Sequence, residues 1–453
     1  MKRGASSRIM ASVSGLRGII GESILPDLYI QYLLSYGSEI GEGTIIVGSD
    51  TRVSGDYLRY LVYSGLMATG CNIIDIGITP TPTIGMMVKE WGADGGIAIS
   101  ASHNPAPWNA VKFFSEKGTI ISHSRFEKVL ERVKKDNYIL ASYKELGSVQ
   151  KKEDACRIHL DRVLQEVNTA SISKKNFKVA ADLCNGSACF IAPDLFQRMQ
   201  CNTSYCYDKP TGFFEREPEP LSKNLTTLCA LVKDSGADIG FAFDPDADRL
   251  AIIDEKGNCI GEERSTVLAC YHVLKHKKRS PLVVNLSTTM AIEKVASLFS
   301  VPVYRTPIGE ANVLTSMEKH QACLGGEGNG GVIYGPMHYG RDAVSGIALI
   351  LELMSLENKP ISEINAVVPS YPLKKEKISF SPHHFDRLID NLSRHFSPDQ
   401  INLTDGIKVT FSSGWVHLRP SGTEPIVRMY SEATDEKKLD EYRKNIYDLI
   451  PEI

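Results

Sequence analysis

Covalent chemistry needs a nucleophile, a counter-charge and groups that hold a ligand, and four short segments carry those residue types. In SASHNP, at 100–105, small residues follow the apolar run GGIAI and leave Ser102 flexible and accessible, with His103 able to hydrogen-bond an oxyanion and Pro105 stiffening the exit. Ser102 is therefore a candidate nucleophile or phosphate carrier, against the plainer reading of a polar turn with a cap residue. Ten residues on, Lys112 in WNAVKFF has apolar neighbours that would desolvate it and lower its pKa toward an acid/base range; the plain alternative is a solvated strand lysine.

In DPDADR, at 244–249, the apolar ADIGFAF opens into carboxylates at alternate positions, placing Asp244, Asp246 and Asp248 around one point. Three like charges packed together are costly unless a cation sits among them. Hard oxygen ligands in a short loop suit Mg²⁺, with Arg249 available for a phosphate oxygen. An EF-hand is excluded: Glu255 falls at the twelfth position, but Arg249 occupies the sixth, where that loop needs glycine, and the flanks read as strands. GGEGNGG, at 325–331, lets backbone approach a ligand closely around Glu327 and Asn329, a carboxylate and an amide suited to sugar hydroxyls, with a flexible turn as the alternative. In RPSGTEP, at 419–425, Arg419, Ser421 and Thr423 with the amides freed by Gly422 make a compact anion nest, to which Arg428 adds a second guanidinium.

The elements around these segments read as α/β. TIIVGSD at 44–50, NIIDIGI at 72–78 and GGIAIS at 95–100 are strand-like, with helical patterns at 56–69 and 83–91 between them, a βαβαβ order that favours a parallel sheet. KVAADLCNGSACFIA (178–192) and LVVNLSTTMAIEKVA (282–296) repeat the phrase of IIVGSDTRVSGDYL (45–58): buried strand, small polar loop, helix start. Three related α/β domains in tandem follow, at 1–150, 151–252 and 253–367. The stretch at 147–154 reads as the first linker, followed by an amphipathic helix through His159 and Val167, and the hairpin RLAIIDEKGNCI (249–260) reads as the second junction. Beyond AVVPSYP the texture becomes charged strands with helices near 385–395 and 436–449, a separate α+β domain at 368–453.

Composition narrows the partners. With 453 residues, several cores are needed. A net charge of -3 gives no polycationic surface for nucleic acid, so any basic site is local and aimed at something small. No apolar run approaches the ~20 residues of a membrane span, and MKRGASSRIMAS lacks the apolar core of a signal peptide, which suggests a soluble, cytoplasmic protein. Ten cysteines without CxxC spacing read as small hydrophobes in a reducing compartment. No feature marks an oligomeric interface.

SASHNP, DPDADR, GEGNGG and RPSGTEP, in that order over nearly the whole chain, resemble the α-D-phosphohexomutase superfamily, and SGLRG (14–18) resembles its N-terminal arginine motif. The resemblance implies three similar α/β domains with mixed sheets plus a C-terminal α+β domain around a central cleft. It implies that Ser102 is the phosphoserine and that Mg²⁺ is held by Asp244, Asp246, Asp248 and an oxygen of the Ser102 phosphate. Arg17 and Arg249 would steady the transferring group, and Lys112 and His103 would serve acid/base roles. Glu327 and Asn329 would bind sugar hydroxyls, and Arg419, Ser421, Gly422, Thr423 and Arg428 would grip the distal phosphate. The implied reaction interconverts hexose 1-phosphate and 6-phosphate through a bound hexose 1,6-bisphosphate, with glucose and mannose phosphates as the general expectation and glucosamine phosphate as the alternative. A mobile C-terminal domain would clamp the phosphate.

Two departures stand out: Asn329 and Gly331 occupy positions where many relatives have Ser and a final His. His338 is a candidate replacement, against a core or surface histidine. Glu310, in RTPIGEANV (305–313), lies in a segment resembling the one that distinguishes sugar orientations, and faces either an amine or a hydroxyl. The competing readings are an aspartate-nucleophile phosphatase, which leaves Ser102 and RPSGTEP idle, and a non-catalytic sugar-phosphate binder, which leaves the chemical groups unused.

Overall fold

A computed structural model describes residues 10–378, 384–420 and 426–450. Strands Thr44–Ser49, Asn72–Ile78 and Gly95–Ile99 run parallel, with helices Gly55–Met67 and Thr81–Glu90 between them. Side chains alternate across a strand, so Ile45 and Val47 enter one core and Ile46 enters another on the opposite face. Trp108–Phe114 returns antiparallel along Gly95–Ile99, and Gly15–Ile19 and Met10–Ser12 follow it to the sheet edge. Val149–Lys151, in the stretch expected as a linker, pairs with Asn72–Ile78 as the opposite edge strand.

The next two units repeat this pattern. In the second sheet Lys178–Asp182 and Ile239–Phe243 are parallel and Leu250–Ile253 returns antiparallel; in the third, Leu282–Asn285 and Leu324–Glu327 are parallel and Gly331–Tyr334 returns. In each unit, then, a motif segment is the connection from the last parallel strand to its antiparallel return. The hairpin expected as a junction belongs wholly to the second sheet, because Cys259–Gly261 pairs with Leu250–Ile253, so a boundary at 252 would cut that sheet. The fourth sheet, of five strands from Leu373–Ile378 to Val427–Ala433, is antiparallel throughout and packs with helices Phe385–His395 and Glu436–Tyr447 around its own core.

The second and third units share one apolar core. Helices Glu263–His276 and Ala343–Glu357, buried nearly all round, contribute to it with residues of both sheets. Among the described residues no helix is long and apolar enough to cross a membrane. All ten cysteines are free, three of them buried.

His159 ties three elements together inside the protein. Its ring nitrogens meet Thr83 Oγ1 (2.8 Å) and Asp342 Oδ2 (3.0 Å), and Asp342 caps the helix Ala343–Glu357 by accepting from Val344 N and Ser345 N. Burial alone would raise the Asp342 carboxyl, but His159 and Ser345 outweigh it and hold its pKa below the ordinary value. A depressed carboxyl stabilises above the unfolded-state pKa and loses that contribution as pH falls through the folded value. Asp342→Ala is therefore expected to cost about 3 kcal/mol at pH 7. The loss is read as a lower urea midpoint, and the gap to wild type should narrow below about pH 4.

Candidate active site

Gly95–Ile99 delivers Ser102 into the interior rather than to an accessible edge: the residue is only 2% exposed and its backbone is left-handed, at φ 49°. The flexibility expected of these small residues is removed by a network. Ser102 N donates to Ser100 Oγ (2.9 Å), and Ser100 Oγ donates to Asp50 Oδ2 (2.7 Å). The Arg52 guanidinium donates to the carbonyls of Ser102, Asn104, Pro105 and Trp108. Ser102 Oγ donates to Asp244 Oδ2 at 2.7 Å, which joins the first and second motifs directly.

The three aspartates converge as expected, all buried, with one oxygen of each within 4.8 Å of the others. Their side-chain hydrogen-bond partners come from the first and third units. Asp246 Oδ2 accepts from Thr81 Oγ1 and Lys112 Nζ, both at 2.6 Å, while Arg341 Nη2 donates to Asp248 Oδ2 at 2.7 Å. Burial and the two neighbouring carboxylates push the Asp244 pKa well up; at Asp246 burial acts the same way, but Lys112 and Thr81 outweigh it and the pKa falls. Asp246 Oδ1 and Asp248 Oδ1 are buried without a hydrogen-bond partner. Orphaned carboxylate oxygens beside a carboxyl whose charge is disfavoured fit a hard divalent cation. The apolar desolvation expected at Lys112 is present on either side of it, but its Nζ is compensated by ion pairs to Asp246 (2.6 Å) and Asp248 (3.9 Å).

Basic groups surround this cluster. Arg17 donates to Asn104 Oδ1 (2.8 Å), and burial followed by the nearby Arg249 pulls its pKa down to about 10. Arg249 pairs with Glu219 at 3.1 Å, and its Nε lies 3.8 Å from Asp248 Oδ1. His103 Nδ1 is 3.4 Å from Ser102 Oγ, and burial with Arg249, Arg17 and Arg428 pushes its pKa well down.

Glu327 is buried; its Oε1 accepts from Asn285 Nδ2 (2.9 Å) and Gly309 N (3.0 Å), and its Oε2 from Arg341 Nη1 (2.9 Å). Asn329 Oδ1 accepts from Gly331 N inside its own loop. Gly330, at φ 87°, admits no side chain because a Cβ there would lie 2.3 Å from the Leu250 carbonyl, which accompanies the bond Leu250 N to Gly330 O joining the second and third motifs. Glu310 faces Arg341, accepting from its backbone N at 2.9 Å and pairing with its Nε at 3.3 Å, while burial raises the Glu310 pKa. His338 is a core histidine: buried against Gly85 and Gly340, its pKa pushed down to about 4 by burial.

In the fourth unit Arg419 and Arg428 sit opposite each other on neighbouring strands. Arg419 Nε pairs with Asp405 Oδ1 at 3.2 Å, and Asp405 Oδ2 accepts from Ile308 N beside Glu310. Ser421, Gly422 and Thr423 lie outside the described residues. Sequence reasoning missed Arg52, Thr81 and Arg341. Arg52 lies in the strand–loop–helix phrase of the first unit, and Arg341 directly precedes the Asp342 cap, so their signal was position at a strand or helix end.

A buried serine hydrogen-bonded to one of three clustered aspartates, with arginines and a glycine-rich carboxylate loop beside it, brings residues of the first three units to one place. Family models described as phosphoglucomutase/phosphomannomutase match throughout: α/β/α domain I over 8–139, domain II over 157–257, domain III over 262–371 and the C-terminal domain over 363–449. The chain is 35% identical over 96% of its length and 96% of the relative's to a probable phosphoglucosamine mutase of Methanopyrus kandleri. It is 34% identical to a phosphoglucomutase/phosphomannomutase of Thermococcus kodakarensis, covering 94% of this chain and 95% of that one. The crystal structure of a Burkholderia thailandensis phosphoglucomutase/phosphomannomutase family protein shares the fold, with a TM-score of 0.86 at 24% identity, over 97% of this chain and 96% of that one. The chain belongs to the phosphoglucomutase/phosphomannomutase family. It is a phosphomutase, an isomerase.

Thr81 orients Asp246 without belonging to the carboxylate triad. Thr81→Val is expected to weaken Mg²⁺ or Mn²⁺ binding by roughly 10- to 100-fold, measured by titration calorimetry on the unliganded protein.

Proposed function

We propose that this phosphomutase interconverts glucosamine 6-phosphate and glucosamine 1-phosphate through phosphorylated Ser102 and a bound glucosamine 1,6-bisphosphate. The observation that carries glucosamine over glucose and mannose, the broader expectation from sequence, is the near-full-length similarity to the probable phosphoglucosamine mutase of Methanopyrus. The similarity to the Thermococcus phosphoglucomutase/phosphomannomutase supports glucose and mannose phosphates as the second reading.

On this reading the Ser102 Oγ–P bond breaks as the substrate's free hydroxyl oxygen bonds to phosphorus. The proton lost by that hydroxyl is matched by one gained at the departing Oγ, and Lys112 and His103, the latter 3.4 Å from Ser102 Oγ, would serve the two transfers. The bisphosphate reorients, and its other phosphoryl group returns to Ser102. Asp244, Asp246 and Asp248, with an oxygen of the Ser102 phosphate, would hold Mg²⁺, which supplies charge stabilisation at the transferring phosphoryl oxygens. Arg17 and Arg249 steady the group in transit. Glu327 and Asn329 hold sugar hydroxyls, with the Glu327 carboxylate kept ionised because Arg341 and Asn285 outweigh its burial. Arg419, Ser421, Gly422, Thr423 and Arg428 hold the phosphate that is not being transferred.

A coupled assay with glucosamine, N-acetylglucosamine, glucose and mannose phosphates, in Mg²⁺ with a trace of bisphosphate, should give glucosamine phosphate the highest kcat/KM. Glucose or mannose phosphate ranking first would move the assignment to the second reading. Ser102→Ala should abolish isomerisation while sparing sugar-phosphate binding, and a phosphopeptide carrying Asp244 instead of Ser102 would overturn the seryl route.

A further inference from the structure

We propose that Arg52 is a positioning residue that sets the curvature of the Ser102 loop and, through Phe214, keeps that loop in register with the aspartate triad of the next unit. The inference rests on the reading of Ser102 as the phosphoryl carrier. The Arg52 side chain is 1% exposed, and each nitrogen of its guanidinium is engaged. Nε pairs with Asp50 Oδ2 (3.1 Å), Nη1 donates to Pro105 O (2.8 Å) and Trp108 O (3.0 Å), and Nη2 donates to Ser102 O and Asn104 O (both 2.6 Å).

Four carbonyl dipoles aimed at one point repel each other unless a cation sits at their focus, and the planar guanidinium fork meets all four at once. Arg52 thus differs from Arg17 and Arg249, because its donors are committed to the loop's own backbone and leave no N–H for a substrate phosphate. The arrangement also supports the left-handed backbone at Ser102, a conformation that costs a non-glycine residue energy and persists only when its surroundings enforce it.

The second unit completes the clasp. Phe214 lies over the guanidinium, with its ring centre 4.8 Å from the central carbon, and the same stretch of chain reaches the metal loop. Arg216 grips Asp182 (2.7 and 3.0 Å) and the Phe243 carbonyl (2.6 Å), directly before Asp244, while Glu219 pairs with Arg249. Gly212 seats this stretch on the residue preceding Arg52: a Cβ there would lie 2.3 Å from the Thr51 carbonyl. Thr51 Oγ1 donates across to Asn185 O at 2.8 Å. A single connection therefore touches the supports of both loops whose alignment decides the distance from Ser102 Oγ to Asp244.

The test uses the full-length enzyme with Arg52→Met, Arg52→Lys, Phe214→Ala and Ser102→Ala, measuring kcat, KM, thermal midpoint and the ³¹P resonance of the phosphoserine. Arg52→Met should lose about 100-fold in kcat, the cost of an ångström-scale misplacement at the reacting atom, with KM little changed. Guanidinium chloride at sub-denaturing concentration should restore part of the rate. The phosphoserine resonance should shift and broaden, Arg52→Lys should recover less than the added guanidinium, and Phe214→Ala should show a smaller kcat loss in the same direction. Wild-type kcat and KM in Arg52→Met would overturn the proposal. So would a rate that falls only with the folded fraction, without guanidinium rescue and with an unshifted resonance. Isomerisation surviving in Ser102→Ala would instead overturn the carrier reading on which this proposal stands.

Discussion

Three carboxylates buried within 4.8 Å of one another are the constraint on which the rest of the site depends. A single uncompensated buried charge costs about 3–5 kcal/mol, so a triad demands partners from whatever surrounds it. Those partners are divided among the units: Ser102, Thr81 and Lys112 from the first, Arg341 from the third. The demand is passed outward. Arg341, in answering Asp248, also fixes Glu327 and Glu310, so these two carboxylates take their orientation from the aspartate cluster.

Topology explains how loops distant in sequence arrive at one place. In each of the first three units the working segment joins the final parallel strand to its antiparallel return, so similar sheets deliver their loops from equivalent positions. Backbone hydrogen bonds then knit the loops directly, from Thr81 N to Asp246 O, Leu250 N to Gly330 O and Ala343 N to Ala247 O. Because these bonds involve backbone, they fix loop positions through main-chain atoms, and at Gly330 the close approach that the bond requires leaves no room for a side chain.

Much of this was legible in the sequence because strand periodicity and loop composition are local properties. The βαβαβ order of the first unit, the tandem repetition and the convergence of the aspartates all follow from short windows. What was not legible acts through space. Arg52 and Arg341 each lie in segments whose composition is ordinary, and only the fold shows that four carbonyls surround one and three carboxylates the other. Ser102 misled in the opposite way: small neighbours suggest freedom, but small size is what allows so many hydrogen bonds to close around it. The misplaced junction at 252 has a similar origin, since a turn between charged residues looks alike whether it ends a domain or folds back as a sheet edge.

The fourth unit meets the third through a different kind of surface. Glu432 accepts from Thr289 and Met290 N, His417 meets Ser287 Oγ at 2.7 Å, and Lys408 donates to the Leu286 carbonyl, while the apolar cores of the described residues stay within their own sides of this boundary. Parting these surfaces exposes polar groups that water can satisfy at once. Exposed polar area lowers the heat capacity of the separated state where exposed hydrocarbon raises it, so the balance between docked and parted arrangements changes only gently with temperature. By contrast, the core shared by the second and third units carries the steep temperature dependence of hydrocarbon burial, so a change of temperature acts more strongly on that shared body than on its polar boundary with the fourth unit.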